Sequence, residues 1–467
     1  MKRFINLFIF LFLFTACVTG LAGEKPVSST SSTKILKDVI DQYWELMLKD
    51  DIFLRQKYGR KIERLPLFSF EETTAYIREV RSLLKKLQQV EPRELTHDEE
   101  LSLEILEWQL NNDLEWYQFF WYYIPIAPHI SPFPWNNQFF SEFQFKETED
   151  LKVYLRLLEQ YPRFVEEVIF ILKQQYQKKI ILPKPALEVM IPYLEALIQP
   201  AEKNVLYISG DRLPGIGPGE GKGFREKVSG IITTRINPLL KQMTDFVKGE
   251  YFKKAPQRVG LWQYPQGTAY YKYLVKYHTS LDLTPEEVHR IGFNQIDILE
   301  KKLDKIREEL KFQGDRAAFI HFLKTDPGFQ AKSIQAFEEK LIFYKERAES
   351  KLDMFFSKKP RAGCGIKRLD PLLESSFTGG YYQVPTAWDT KGYYVYNVSN
   401  QVKDTLVTAA PLMLHELIPG HHFQIALQAE NKALPLFRRE MVFTSYAEGW
   451  AEYAAALGEE MGIYNDP

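Results

Sequence analysis

The sequence predicts a large, mostly α-helical protein with a small β-sheet beside a metal-binding helix. Apolar residues recur at helical spacing from residue 34 to residue 356, beginning with Ile35, Leu36, Val39 and Ile40. The segments 364–369, 380–384 and 393–398 are short and alternating, and the last two are rich in Tyr and Val, which is typical of strands. Helical spacing returns after residue 404. The predicted sheet therefore directly precedes the segment in which the histidines cluster.

The same spacing predicts the individual helices. They are expected at residues 34–57, 70–92, 98–122, 147–180, 186–204, 222–250, 285–310, 332–356, 404–430 and 439–461. Thr284-Pro285-Glu286-Glu287 is the clearest helix start, with Thr as N-cap, Pro at the first helical position and Glu at the third. The Gly-rich run at 214–223 lacks the spacing of a phosphate-binding loop and is predicted to be a flexible loop.

Composition excludes one class of partner. The 467 residues include 60 basic and 61 acidic side chains, so a net charge of −1 gives no electrostatic basis for binding nucleic acid.

Cys17 and Cys364 are the two cysteines. If Cys17 is lipidated or removed, no intramolecular disulfide can form, and the exported domain depends on its core. Cys364 has no histidine nearby in sequence and is interpreted as structural.

The N-terminus predicts export. Met1-Lys2-Arg3 is a short basic head, and residues 4–16 form an apolar run of secretory length. Residues 1–22 are therefore interpreted as a signal peptide of lipoprotein type, in which Cys17 becomes the lipidated terminus. Ordinary cleavage after Ala22 is the competing interpretation. Residues 23–33 form a tether, and the protein is expected to be periplasmic and anchored to the membrane by its lipid.

A histidine cluster marks the candidate site. Three of the eight histidines, at 415, 421 and 422, fall within eight residues, and Glu416 directly follows the first. In zinc hydrolases of the H-E-x-x-H type two histidines hold the metal and the Glu deprotonates water. Here Pro419 occupies the position of the second histidine. On a regular helix, His415 and His421 would lie roughly 120° apart around the axis and about 9 Å apart along it, too far to share one ion.

Pro419 and Gly420 offer a way around that distance. Proline has no N–H, and its ring clashes with the carbonyl of His415 four residues earlier, while glycine admits unusual backbone angles. A two-residue bulge there is predicted to bring His421 to the ligand position. His422 is predicted either to contact one of the metal ligands or to face the substrate. The alternative is that Pro-Gly simply ends one helix and the histidines are surface or core residues.

The third ligand is expected on the next helix. Glu448 and Glu452 lie at i and i+4 in residues 443–453, among Phe, Tyr, Trp and Ala. A carboxylate in apolar surroundings needs a partner, and a metal ion is one. Spacing alone does not choose between the two glutamates.

These motifs resemble a known bacterial family. HELIPGHHFQ, TSYAEGWAEY and the segment GLWQYPQGTAYYKYLVKYHTSLDLTPEEVHRIG are similar to the domain-of-unknown-function 885 (DUF885) family, which in turn resembles helical zinc metallopeptidases. The resemblance implies zinc held by His415, His421 and Glu448, with Glu416 as the base. Members continue beyond a segment like 461–467, so the chain resembles a C-terminally incomplete member, and its activity as given is an open question.

Together the residues and the resemblance predict an exported zinc-dependent hydrolase, of peptidase type, acting on a peptide or small amide. Residues 34–262 are predicted to form a helical region and residues 263–467 the metal-site region. Glu452 is predicted to contact the metal ligands or the substrate. The same two roles are predicted for Tyr381, Tyr394 and Tyr446, and the hydroxyl of any of these tyrosines could donate to an oxyanion. Two alternatives stay open: a non-catalytic, metal-containing binding or scaffold lipoprotein, and a metal-dependent amidase or esterase acting on a non-peptide substrate.

Overall fold

The structure is a computed structural model that describes residues 31–128, 130–213, 215–369, 380–386, 389–398 and 406–465. The predicted signal segment with Cys17, and nearly all of the predicted tether, lie outside these residues. Within the described part of the chain, no helix combines the length and the apolar character needed to cross a membrane.

Helices form most of the described chain, which confirms the predicted fold class. From the N-terminus they are α1 (Ser31–Asp50), α2 (Ile52–Lys57), α3 (Phe70–Leu87), α4 (His97–Tyr117), α5 (Pro132–Glu142), α6 (Thr148–Leu158), α7 (Tyr161–Gln177), α8 (Lys184–Ala196), α9 (Pro218–Ile231), α10 (Asn237–Phe246), α11 (Phe252–Lys254), α12 (Gly267–Thr279), α13 (Pro285–Glu309), α14 (Arg316–Thr325), α15 (Ile334–Glu349) and α16 (Leu352–Phe355). The later helices are α17 (Ala409–Glu416), α18 (His421–Glu430), α19 (Leu436–Glu440) and α20 (Thr444–Glu460).

Local sequence signals explain where the helices begin. Thr284 caps α13 through a reciprocal capping box with Glu287, as the Thr-Pro-Glu-Glu motif predicts. The predicted helix 34–57 is interrupted because Asp51 accepts a hydrogen bond from the backbone N–H of Leu54 and starts α2. The Gly-rich run was predicted to be a loop throughout, but Pro218 begins α9 there because proline suits the first helical turn.

Apolar side chains pack in three clusters among the described residues. The largest lies in the N-terminal half and is rich in buried aromatic rings such as Tyr154 and Tyr161. Another joins α1, α3 and α4 and also receives Phe437 from α19, so the C-terminal chain packs into the N-terminal helices. The third cluster contains Leu414 of α17 and Phe423 of α18, and it supports the candidate site.

Three short strands form the predicted sheet. They are β1 (Cys364–Arg368), β2 (Tyr381–Gln383) and β3 (Gly392–Tyr396), in the order β1-β3-β2. β3 pairs in parallel with β1 and antiparallel with β2, with Tyr382 opposite Tyr394. The central strand is nearly all buried, and β2 is at an edge of the sheet.

Helix α13 is 25 residues long, and none of its residues is buried. Six large apolar side chains are each 44–59% exposed, and we call this set the α13 apolar face: Ile291, Phe293, Ile296, Ile298, Leu299 and Ile306. Its polar contacts run to α14, where Arg316 forms ion pairs with Glu300 and Asp304 at 2.7 and 2.5 Å. The apolar face is therefore open to solvent over the length of the helix.

Candidate metal centre

The helix that carries the histidines breaks in two. Helix α17 ends at Glu416 and α18 begins at His421, and residues 417–420 cross between them with a cis peptide bond before Pro419. The predicted two-residue bulge is therefore corrected to a four-residue interruption. Gly420 is required in it, because a Cβ atom there would lie 1.9 Å from the carbonyl oxygen of His415. From α20, the indole N–H of Trp450 donates to the Pro419 carbonyl at 2.7 Å.

The break brings together side chains that a straight helix would keep apart. The rings of His415 and His421 have centroids 4.7 Å apart. The Nε2 atoms of these two histidines lie 3.4 and 3.7 Å from the two carboxylate oxygens of Glu448. One ligand atom from each of the three side chains lies within 4.8 Å of the others, so the group could hold a metal ion.

These separations are compatible with zinc. Two ligand atoms on a tetrahedral zinc ion, with bonds of 2.0–2.2 Å, lie about 3.3–3.6 Å apart. The two histidine-to-carboxylate distances fall in or close to that range. Two imidazoles and one carboxylate are a recurrent donor set of catalytic zinc sites, which leave a fourth position open. The residues present therefore fit the metal that the sequence predicts.

Helix α20 supplies two carboxylates with different partners. Glu448 lies against the Nε2 atoms of both histidines, whereas Oε1 of Glu452 lies 3.3 Å from Nδ1 of His415. Metal-binding histidines usually donate their second N–H to a carboxylate, which fixes the tautomer and the ring orientation. The geometry thus separates two glutamates that the spacing alone left equivalent.

Glu416 lies beside the cluster but outside the ligand group. Its side chain is buried, with 8% of the residue exposed. Burial, reinforced by the negative charge of Glu448, raises the pKa of Glu416 to about 7, although a hydrogen bond from the backbone N–H of Tyr382 opposes the rise. A carboxyl group with a pKa near neutrality can both accept and release a proton, as a general acid–base catalyst must.

His421 is held in its neutral form. Burial lowers its pKa, the charge of Glu448 opposes that shift, and the neighbouring His415 adds to it. A neutral imidazole is the form that binds a metal ion. Its buried Nδ1 atom makes no hydrogen bond among the described residues. The histidine is thus placed with Nε2 directed toward Glu448.

The comparisons with known proteins identify the family. A family model described as "Bacterial protein of unknown function (DUF885)" matches residues 54–467. The chain belongs to the DUF885 family. No curated protein matches the chain.

Two solved structures share the DUF885 chain's fold. A candidate lipoprotein from Colwellia psychrerythraea aligns with a TM-score of 0.82 at 18% identity, covering 93% of this chain and 79% of that one. A candidate lipoprotein of unknown function from Shewanella oneidensis aligns with a TM-score of 0.60 at 16% identity, covering 93% and 78% of the two chains. At these identities the likeness concerns the fold alone.

The remaining predicted site residues of this DUF885 chain fall into two groups. Tyr381, on the edge strand, is 39% exposed, and Tyr446, in the first turn of α20, is 60% exposed. Tyr446 also lines an open cavity of about 510 Å³ together with Trp108 and Phe443. His422 and Tyr394 are each only 1% exposed. The packing of the sheet against α18 and the core covers both side chains, which suits the predicted contact with residues around the ligands better than the predicted contact with a substrate.

Cys364 is unsuited to nucleophilic chemistry, as predicted. Burial raises the pKa of its thiol to about 11, so it stays protonated at neutral pH. Two contributors to the centre were not predicted from the sequence. Tyr382 contacts Glu416 through its backbone, and Trp450 fixes the helix break. Trp450 follows Glu448 by two residues in the family motif, which was a usable signal, whereas a backbone contact from a strand leaves no signal in side-chain type.

Proposed function

We propose that this protein is an exported, zinc-dependent hydrolase that cleaves peptide bonds. The observation that carries the proposal is the convergence of His415, His421 and Glu448 around one position, with the buried Glu416 beside it. Two imidazoles, one carboxylate and an adjacent glutamate are the parts that metal-assisted hydrolysis needs.

Each protein group has a definable task in that reaction. When bound, zinc supplies Lewis-acid chemistry and lowers the pKa of a coordinated water to about 7. Glu416 takes a proton from the attacking water, as a buried carboxylate beside the ligand position can. It then delivers the proton to the leaving amine. Glu452 orients the ring of His415 through Nδ1, so that Nε2 stays directed to the ligand position.

The edge strand supports a peptide as substrate. β2 pairs only with β3 among the described strands, and its residue Tyr382 contacts Glu416. An extended peptide can add to an exposed strand edge by main-chain hydrogen bonds. A peptide aligned along β2 would pass directly beside the acid–base residue. This placement favours a peptide over a compact ester or amide.

The N-terminal sequence supports a location outside the cytoplasm. A basic head, an apolar run and Cys17 have the layout of a lipoprotein signal. The Colwellia and Shewanella proteins, which share the fold, are themselves described as candidate lipoproteins. We therefore propose a periplasmic protein held to the membrane by lipid on Cys17. Metabolic labelling with a radioactive fatty acid should label the wild type and leave Cys17→Ser unlabelled.

Zinc analysis and a peptide-library digest together test the proposed activity. The purified protein should bind one equivalent of zinc and cleave peptides, and His421→Ala should lose both properties. His289→Ala, on the exposed α13, is the matched control and should keep both. Zinc binding without cleavage of peptides, esters or amides would favour a binding or scaffold lipoprotein. Cleavage of small esters or amides alone would favour the non-peptide hydrolase, and absence of zinc would refute the proposal.

A further inference from the structure

His422 joins the sheet to the helix that begins with His421. Its Nε2 atom lies 3.0 Å from the carbonyl oxygen of Ala362, and its Nδ1 atom lies 3.0 Å from the hydroxyl of Tyr382. A carbonyl oxygen can only accept, so Nε2 carries the proton and donates it. In the neutral ring Nδ1 is then an acceptor, and the Tyr382 hydroxyl donates to it. Both ring nitrogens are therefore used, at a position that is 1% exposed.

The segment that leads into β1 is anchored to the same helix as His422. Ala362 lies two residues before β1, and the backbone N–H groups of Arg361 and Ala362 donate to the Glu430 carboxylate at 2.8–3.0 Å. Glu430 ends α18, and His422 is near its start. The segment that leads into the sheet is thus held at both ends of α18. Because β1 pairs with β3 and β3 with β2, this anchorage extends to the edge strand.

Tyr382 carries the link from His422 to the acid–base residue. Its hydroxyl is bound by His422, while its backbone N–H faces the carboxylate of Glu416. The hydrogen bond to His422 therefore helps to hold the residue whose amide faces Glu416. A shift of about 1 Å in such a group can cost a hundredfold in rate.

Gly392 gives independent evidence that this contact is tightly constrained. A Cβ atom at that position would lie 2.4 Å from the Tyr382 hydroxyl and 2.5 Å from Nδ1 of His422. The central strand thus passes against the hydrogen bond so closely that only glycine fits. The Tyr382–His422 pair is enclosed on this side and has little freedom to rearrange.

We propose that His422 is a positioning residue, which holds Tyr382 so that the Tyr382 backbone amide orients Glu416 for proton transfer. This inference rests on the proposed function. It assigns His422 to the geometry of the base rather than to metal binding or substrate contact. It also makes the hydroxyl of Tyr382 a structural donor that is not available to a substrate.

Three substitutions separate the two hydrogen bonds of His422. Tyr382→Phe removes the hydroxyl alone. His422→Gln places an amide where Nε2 was and keeps only the Ala362 contact, whereas His422→Asn places an amide oxygen where Nδ1 was and keeps only the Tyr382 contact. We expect Tyr382→Phe and His422→Gln each to lower kcat about tenfold with KM and zinc content unchanged. His422→Asn should stay within about threefold of the wild type, and Tyr393→Phe, in the same sheet, is the control.

The double variant and an activity-independent measurement decide the matter. Tyr382→Phe combined with His422→Gln should lose no more than either alone, because both break one hydrogen bond. In the metal-free protein, backbone hydrogen–deuterium exchange across residues 381–383 should be about tenfold faster in Tyr382→Phe and in His422→Gln than in the wild type. Losses that multiply to about a hundredfold, or exchange equal to the wild type, would overturn the assignment. A wild type that cleaves no peptide refutes the proposed function instead, and the exchange data still test His422.

Discussion

Replacing Gly420 with alanine tests the helix break that assembles the metal centre. The new Cβ atom would lie 1.9 Å from the carbonyl oxygen of His415 and 2.2 Å from that of Leu414. Non-bonded atoms of this kind essentially never approach within 3.0 Å, so the two backbone segments must separate by at least about 1 Å. Both contacts are to backbone, so no flexible side chain can absorb the shift.

That separation moves the zinc ligands themselves. Gly420 immediately precedes His421, and the new Cβ atom would collide with the backbone of His415. Metal–ligand distances tolerate deviations of only about 0.2 Å. We therefore expect Gly420→Ala to weaken zinc binding at least about a hundredfold and to destabilise the fold by about 1–3 kcal/mol. Competitive titration with a fluorescent zinc chelator measures the first effect, and urea unfolding followed by circular dichroism measures the second.

Gly449→Ala is the matched control for this variant. Gly449 lies next to Glu448 in α20, and a Cβ atom there meets nothing within 4 Å. Alanine is favoured over glycine inside a helix by about 1 kcal/mol, so this variant should bind zinc normally and be slightly more stable. If Gly420→Ala binds zinc as tightly as Gly449→Ala, the claim that the break sets the ligand geometry is refuted.

Three further variants test single contacts. Glu416→Gln keeps the shape of the side chain but cannot take a proton, so kcat should fall about 10²- to 10⁴-fold with zinc content unchanged; activity near the wild type would exclude Glu416 as the base. Glu452→Gln replaces the carboxylate beside His415 with a neutral amide and should weaken zinc binding about 10- to 100-fold, whereas the exposed Glu459→Gln should not. Burial raises the pKa of Asp113 from 3.8 to about 6, so its ionisation opposes folding and stability is lost as pH rises through that interval. Asp113→Asn should therefore add up to about 3 kcal/mol in urea unfolding at pH 7 and little at pH 4, and equal effects at both pH values would contradict this account.

Much of the fold was predictable because it follows local periodicity. The helical spacing and the Thr284 capping box predicted α13 to within a residue, and the change to alternating residues predicted all three strands. Interruptions such as the one at Asp51 were missed, because a single polar N-cap inside an apolar pattern does not change the period. The four-residue break at 417–420 was predicted only as a bulge, since the sequence shows that a helix is disturbed but not how the chain continues.

The membership of the candidate site was easier to predict than the environment of each residue. His415, His421 and Glu448 were named from motif spacing and the family resemblance, and the structure brings them together. The burial of Tyr394 was not predicted, because it depends on β3 being the central strand of the sheet, which the alternation of residue types does not reveal. The role of Tyr382 depends on the packing of the sheet against α18, a long-range contact that no local pattern encodes.

The α13 apolar face has a practical consequence for the choice of stability assay. Exposed apolar side chains in such a group attract other apolar surfaces and the dyes used to detect them. A reporter such as anilinonaphthalene sulfonate should therefore fluoresce with the native protein, and a dye-based melting curve would begin from a high signal and conceal the transition. Column matrices bearing phenyl groups should retain the protein at moderate salt. Circular dichroism and intrinsic tryptophan emission, which need no added hydrophobic probe, are the suitable readouts for comparing variants.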